Sequence, residues 1–284
     1  MKMGAFLAAG LLALAAPALA DPPQRIVSVG GSVTEIVAAL GAADLLVGRD
    51  STSTWPPEVA ALPDVGYFRA LSPEGVLGLA PDMVLAEADA GPVEAVEVLK
   101  AAGIPYVALP GEPSPEGIAA KITAVGEAIG RQAEAATLVE TFAAEIAAVR
   151  ADAAQVPAAD RKRVLFVLAN QAGRLLVGGE GSSAAAIIAL AGGVNAGTGF
   201  HGYKQATDEA ILTSAPDVIL MMDREGDLAI SDAEVLGHPA LGTTPAAQAG
   251  AILRMDGLLL LGFGPRTAQA ARQLHDALYG PSEG

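Results

Sequence analysis

The side chains able to do chemistry in this 284-residue chain are few, and they gather in glycine-flanked loops. Tyr67 and Arg69 stand two apart in Val65-Gly66-Tyr67-Phe68-Arg69-Ala70-Leu71. His201, Tyr203 and Lys204 share Gly199-Phe200-His201-Gly202-Tyr203-Lys204, and Arg224 sits between acids in Asp223-Arg224-Glu225. His238, before Pro239, and His275, in a terminal helical stretch, do not read as ligands. Cysteine is absent, which removes thiolate chemistry and disulfides together. The chain also lacks a Gly-x-Ser-x-Gly elbow, a Gly-Lys-Ser/Thr phosphate loop and a His-Glu-x-x-His pair, so an enzyme is the disfavoured class. Gly178-Gly179-Glu180-Gly181-Ser182-Ser183 reads better as a strand-to-helix turn than as a phosphate cradle. Each candidate keeps an ordinary alternative. Tyr67 can be a half-buried tyrosine bonded to backbone, Arg69 can pair with Glu74 or Asp64, His201 can be an exposed loop residue, and Arg224 can pair with its neighbours.

The elements that must position these residues follow a strand-turn-helix scheme. Arg25-Ile26-Val27-Ser28-Val29 is a β-branched run ending at Gly30-Gly31, and Val33, Ile36, Val37 and Leu40 then recur at helical spacing. Ser32 with Glu35 has capping-box spacing. Apolar runs at 83–86 and 106–109 continue the alternation, which predicts an α/β sheet of mostly parallel strands. Residues 114–150 have helical spacing and no proline after Pro115, so one long helix is expected there, the alternative being a break near Gly126 or Gly130. The scheme restarts at Val164. Ser72-Pro73-Glu74-Gly75-Val76-Leu77-Gly78-Leu79-Ala80-Pro81-Asp82-Met83-Val84-Leu85 matches Thr207-Asp208-Glu209-Ala210-Ile211-Leu212-Thr213-Ser214-Ala215-Pro216-Asp217-Val218-Ile219-Leu220 without a gap. This repeat predicts two similar α/β lobes, residues 21–113 and 151–284, joined by a single long helix over 114–150, with a ligand cleft between them.

The first twenty residues read as an export signal: Lys2 is the positive start, Phe6 to Ala15 the apolar stretch, and Ala18-Leu19-Ala20 the cleavage site. Removing Lys2, the one charge in that segment, takes the formal balance from −15 to −16. Such a charge argues against nucleic acid as a partner.

The chain resembles the periplasmic binding proteins of cobalamin, siderophore and haem importers. The marks are Arg25-Ile26-Val27-Ser28 followed by Thr34-Glu35, then Leu62-Pro63-Asp64-Val65-Gly66, and both Pro-Asp-strand units. The stretch from Val65 to Gly75 looks like the haem-binding branch, in which a tyrosine at the position of Tyr67 is the axial ligand to the haem iron. A phenolate is a known haem ligand class. The resemblance implies an exported, periplasmic monomer that carries haem to the permease and ATPase of an ABC importer. Cobalamin or a ferric siderophore is the rival cargo. Haem has two propionates, so Arg69, Lys204 and Arg224 become candidate cations, Tyr203 a stacking or propionate-bonding residue, and His201 a second axial ligand. Some haem-binding relatives place a histidine where this chain has Asn170, a departure that speaks against Tyr/His ligation. Glu74 and Glu209 match the two glutamates through which the family docks on its permease. Helix-dipole stabilisation is their ordinary reading.

Overall fold

A computed structural model describes residues 22–223 and 229–281. The export signal read at 1–20 and Arg224 both lie outside the described residues. The N-terminal lobe alternates β1 (Ile26–Val29), α1 (Gly31–Ala39), β2 (Leu46–Arg49), α2 (Pro73–Leu77), β3 (Met83–Glu87), α3 (Val93–Ala101), β4 (Tyr106–Leu109) and α4 (Pro115–Ala128). Its sheet has the order β2-β1-β3-β4 and every pairing is parallel. Helix α5 (Gln132–Gln155) leads to the C-terminal lobe. There β5 (Arg163–Gln171) and β6 (Arg174–Gly178) form an antiparallel pair, followed by α6 (Ser183–Leu190), β7 (Val194–Asn195), β8 (Tyr203–Gln205), α7 (Asp208–Ser214) and β9 (Val218–Asp223). Helices α8 (Asp232–Gly237) and α9 (Pro245–Gln248), strand β10 (Ile252–Asp256) and helices α10 (Gly257–Leu261) and α11 (Thr267–Tyr279) complete it. This sheet runs β10-β9-β5-β6-β8, parallel from β10 to β5 and antiparallel beyond it. The α/β, two-lobed expectation is met, with a mixed second sheet.

The connection is shorter than the 114–150 helix expected from sequence. Gly130 adopts φ 72°, a left-handed conformation that a side chain disfavours, and the chain reverses there. Helix α4 therefore folds back against α5: a Cβ added at Gly126 would lie 2.4 Å from that of Ala135, and at the far ends Arg150 pairs with Glu116 at 3.6 Å. The helix that joins the lobes is α5 alone, 24 residues or about 36 Å long.

The repeat seen in the sequence is the organising device of both lobes. Ser72 and Thr207 cap α2 and α7 through bonds accepted from the Gly75 and Ala210 amides. Ala80 (φ 45°) and Ala215 (φ 37°) then take left-handed turns into Pro81 and Pro216. The following carboxylates clamp the central strands: Asp82 accepts from the Arg25 amide at 3.0 Å, and Asp217 from the Arg163 amide at 2.8 Å. Those arginines complete the clamp from the other side. Arg25 Nε donates to the Ala80 carbonyl at 3.0 Å, and Arg163 Nε to the Ser214 carbonyl at 3.0 Å.

One apolar core crosses from lobe to lobe. It joins Ile26, Val33, Ile36 and Leu85 with Ile118 and Ile122 of α4, Phe142 and Ile146 of α5, and Phe166, Ile187, Leu260, Phe263 and Leu274 of the second lobe. Smaller cores cover the outer faces, one under α2 and α3 and one under α7 to α9. Lobe separation would expose the shared core, so wide opening is opposed by hydrophobic burial as well as by α5. Asp82→Ala and Asp217→Ala should each lower stability by about 1–2 kcal/mol, since each strand amide loses its carboxylate acceptor. A urea midpoint that falls with an unchanged slope checks this.

Candidate ligand-binding site

The Tyr67 loop is built at the C-terminal edge of the first sheet, where parallel α/β sheets carry their ligands. Gly66 has φ 96°, its amide donates to Asp64 Oδ1 at 2.8 Å, and its carbonyl accepts from the Ser51 amide at 2.9 Å, just beyond β2. On the other side Gly91, beyond β3, donates to the Phe68 carbonyl at 2.8 Å, and its own carbonyl accepts from the Leu71 amide at 2.8 Å. Buried Val65 and Leu71 pin the two ends, while Tyr67 between them remains 43% exposed.

Tyr67 is held by its neighbours. Arg69 Nη1 donates to the phenol oxygen at 3.0 Å, and the Phe68 ring packs edge-on at 4.8 Å between centroids. Arg69 lies 4.3 Å over the Phe68 ring and forms an ion pair with Asp89. Its expected partners Glu74 and Asp64 do not take that place: Asp64 pairs with Arg49 at 2.8 Å. Burial works to lower the pKa of the Arg69 guanidinium, but hydrogen bonds to Asp89 and Tyr67 outweigh it and raise the value above the ordinary one. The guanidinium N–H occupies one acceptor position of the phenol oxygen and leaves a lone pair for an incoming electrophile.

The second-lobe loop is arranged differently. Its backbone pairs with the turn before α6, the Glu180 amide donating to the Phe200 carbonyl and the Gly202 amide to the Glu180 carbonyl, both at 2.9 Å. His201 projects outward, with its side chain 84% exposed and 3.6 Å from Glu180. Tyr203 turns inward: its ring packs against Phe166, and its oxygen accepts from the Ala184 amide at 3.3 Å and lies 3.1 Å from Ser183 Oγ. That hydroxyl is engaged at the start of α6. Lys204 is exposed on edge strand β8, with its backbone paired to Val177. The other histidines are buried: His238 Nε2 lies 3.1 Å from the Gly173 carbonyl and His275 Nδ1 3.0 Å from the Ala191 carbonyl. Asn170 accepts from the Gly173 amide and closes the β5–β6 turn. Glu74 and Glu209 occupy the first turns of α2 and α7, both exposed. Hollows along α4, α5 and α6 are lined by none of these candidates.

Sequence reasoning missed two buried polar contacts, one within the first lobe and one across the lobes. Lys121 of α4, 3% exposed, bonds Ser32 Oγ at 2.9 Å and both Glu87 oxygens at 2.8 and 3.0 Å. Across the lobes, Glu35 of α1 pairs with Arg266 before α11, whose guanidinium lies 4.3 Å over the Trp55 ring. No local pattern marks such pairs, because their members are 34 to 231 residues apart.

Two α/β lobes sharing a core, with an exposed loop at the strand edge, are the architecture of substrate-binding proteins of the transport class. The chain belongs to the periplasmic binding protein family, which it matches over residues 26–258. It is similar to the periplasmic haem-binding protein BhuT solved in complex with two haems, at 41% identity and TM-score 0.84 over 89% of this chain and 97% of that one. It is also similar to the apo periplasmic haem-binding protein RhuT from Roseiflexus sp. RS-1, at 37% identity and TM-score 0.86 over 90% and 98%. Among curated relatives, the uncharacterized ABC transporter substrate-binding lipoprotein YvrC of Bacillus subtilis (strain 168) is 27% identical over 259 residues, 90% of this chain and 80% of that one. The vitamin B12-binding protein of Vibrio campbellii is 27% identical over 200 residues, 70% of each.

Burial raises the Glu35 carboxyl from 4.5 to about 7, against the lowering effect of Arg266. The folded protein thus favours protonated Glu35, and this stabilisation is lost as pH rises from about 4.5 through about 7. The melting temperature should fall over that window, and Glu35→Gln should flatten the fall. Parallel curves for the two proteins would exclude Glu35 as the titrating group.

Proposed function

We propose that this chain is the periplasmic haem-binding component of an ABC importer, exported by the segment 1–20 and acting as a monomer. The carrying observation is Tyr67, exposed at the sheet edge with Arg69 on its oxygen. In this reading its phenolate is the axial ligand to ferric iron. The two haem-binding structures, each matched over about nine-tenths of this chain, support haem as the cargo. The opposite face of the disc is covered by second-lobe residues or water. In this reading exposed His201 is the candidate second ligand, and exposed Lys204, with Arg224 proposed from the sequence alone, meets the propionates, since haem needs cations at the rim of an apolar site. Tyr203 contributes by supporting the loop that carries His201 and Lys204.

Cobalamin is the second reading, favoured by the vitamin B12-binding relative. The two separate on one variant. Residues Asp21 to Gly284 titrated with ferric haem should give a saturable spectrum with a tyrosinate-to-iron charge-transfer band, and Tyr67→Phe should lose the band and weaken binding at least about tenfold. A Tyr67→Phe protein with the wild-type haem spectrum and affinity would overturn the ligand assignment. Saturable cyanocobalamin binding that is indifferent to Tyr67→Phe would favour the second reading.

Delivery rests on Glu74 and Glu209, which the repeated helix presents once per lobe on exposed first turns. We assign them to the permease contact, one carboxylate to each membrane subunit. Glu74→Ala with Glu209→Ala should leave haem binding and melting temperature unchanged while abolishing stimulation of the reconstituted importer's ATPase. Retained stimulation would remove them from the docking surface.

A further inference from the structure

The haem reading accounts for Tyr67 and Arg69 but not for the residue that fixes Arg69. Three groups hold that guanidinium. Nη1 donates to the Tyr67 oxygen at 3.0 Å, Nε donates to Asp89 Oδ2 at 3.1 Å, and Nη2 pairs with the same carboxylate oxygen. The Phe68 ring lies beneath it at 4.3 Å. Asp89 is itself placed by backbone, in a turn closed by the Ala90 amide on the Glu87 carbonyl at 3.0 Å. The next residue, Gly91, ties that turn to the Tyr67 loop through the Phe68 carbonyl. Two loops that follow different strands thus meet through one Arg–Asp pair and two backbone bonds, the Gly91 amide on the Phe68 carbonyl and the Leu71 amide on the Gly91 carbonyl.

Resting on the proposed capture of haem by Tyr67, we infer that Asp89 is a positioning residue. Acting through Arg69, it orients the Tyr67 oxygen toward the iron and offsets the guanidinium charge beside it. Charge balance carries the argument. A ferric porphyrin centre has one net positive charge, which a single phenolate cancels. An unbalanced guanidinium on that phenolate would return a positive charge to the same place and repel the cationic iron centre. Asp89 neutralises it without displacing it.

The pair is half exposed, with side-chain accessibilities of 54% and 56%, and in water such a pair is worth little. A porphyrin seated on Tyr67 excludes water from it, so its effect belongs to the haem-loaded protein.

The test uses the mature chain loaded with one equivalent of ferric haem, with haem loss read by transfer to an apoglobin scavenger and the charge-transfer band recorded alongside. Asp89→Asn should speed haem loss by about three- to tenfold and move the band toward its position in Arg69→Ala, with the melting temperature of the apo protein unchanged. Asp89→Glu should restore most of the wild-type rate. In the Arg69→Ala background, Asp89→Asn should add no further acceleration, because the carboxylate acts through that arginine. A wild-type rate and band in Asp89→Asn overturns this inference alone, as does equal acceleration with and without Arg69. A wild-type protein lacking a Tyr67-dependent band overturns the inference and the haem reading together.

Discussion

Much of this molecule hangs on one arrangement made twice: a carboxylate and an arginine clamping the start of each central strand onto a left-handed alanine turn. Asp82 accepts the amide of Arg25, just before β1, and Asp217 that of Arg163, the first residue of β5, and the two arginines return the bond to carbonyls of the same turn. A left-handed alanine costs on the order of 1–2 kcal/mol, so it persists where the surroundings over-determine it. Because the clamp joins the end of α2 or α7 to the central strand beside it, it also sets where the first turns of those helices sit. The exposed glutamates of those turns stand in matching places for that reason.

Between the clamps, rigidity comes from continuity. The shared core runs from the first sheet through α4 and α5 to the helices behind the second, and Glu35 with Arg266 closes a polar contact across the lobes. A single 24-residue helix with a common core opposes wide opening of the lobes. The cost of burying Glu35 appears as its raised pKa. The Tyr67 loop is anchored more lightly, by backbone bonds to two neighbouring loops and by the Arg69–Asp89 pair.

The sequence and structure part company where spacing meets sterics. Helical periodicity through 114–150 is real, and both α4 and α5 obey it, but period alone cannot show that Gly130 reverses the chain. The reversal is settled by the packing of Gly126 against Ala135. Tyr203 shows the same limit. Its glycine-rich setting marks a loop, but whether its hydroxyl faces ligand or helix depends on Ser183 and Ala184.

What the sequence by itself determined was local or repeated: strand-turn-helix alternation, the duplicated Glu and Pro-Asp unit, the absence of thiols and enzyme motifs, and the tyrosine-arginine pair. These are legible because each depends on a short window whose apolar period, cap or breaker acts within a few residues. Tertiary structure decided which distant groups meet: Asp89 on Arg69, Lys121 on Glu87, Glu35 on Arg266, and the core that unites the lobes. Those contacts join residues 20 to 231 positions apart. Only the folded sheets bring them within reach, since a charge pair carries no period and its partner is chosen by geometry in space.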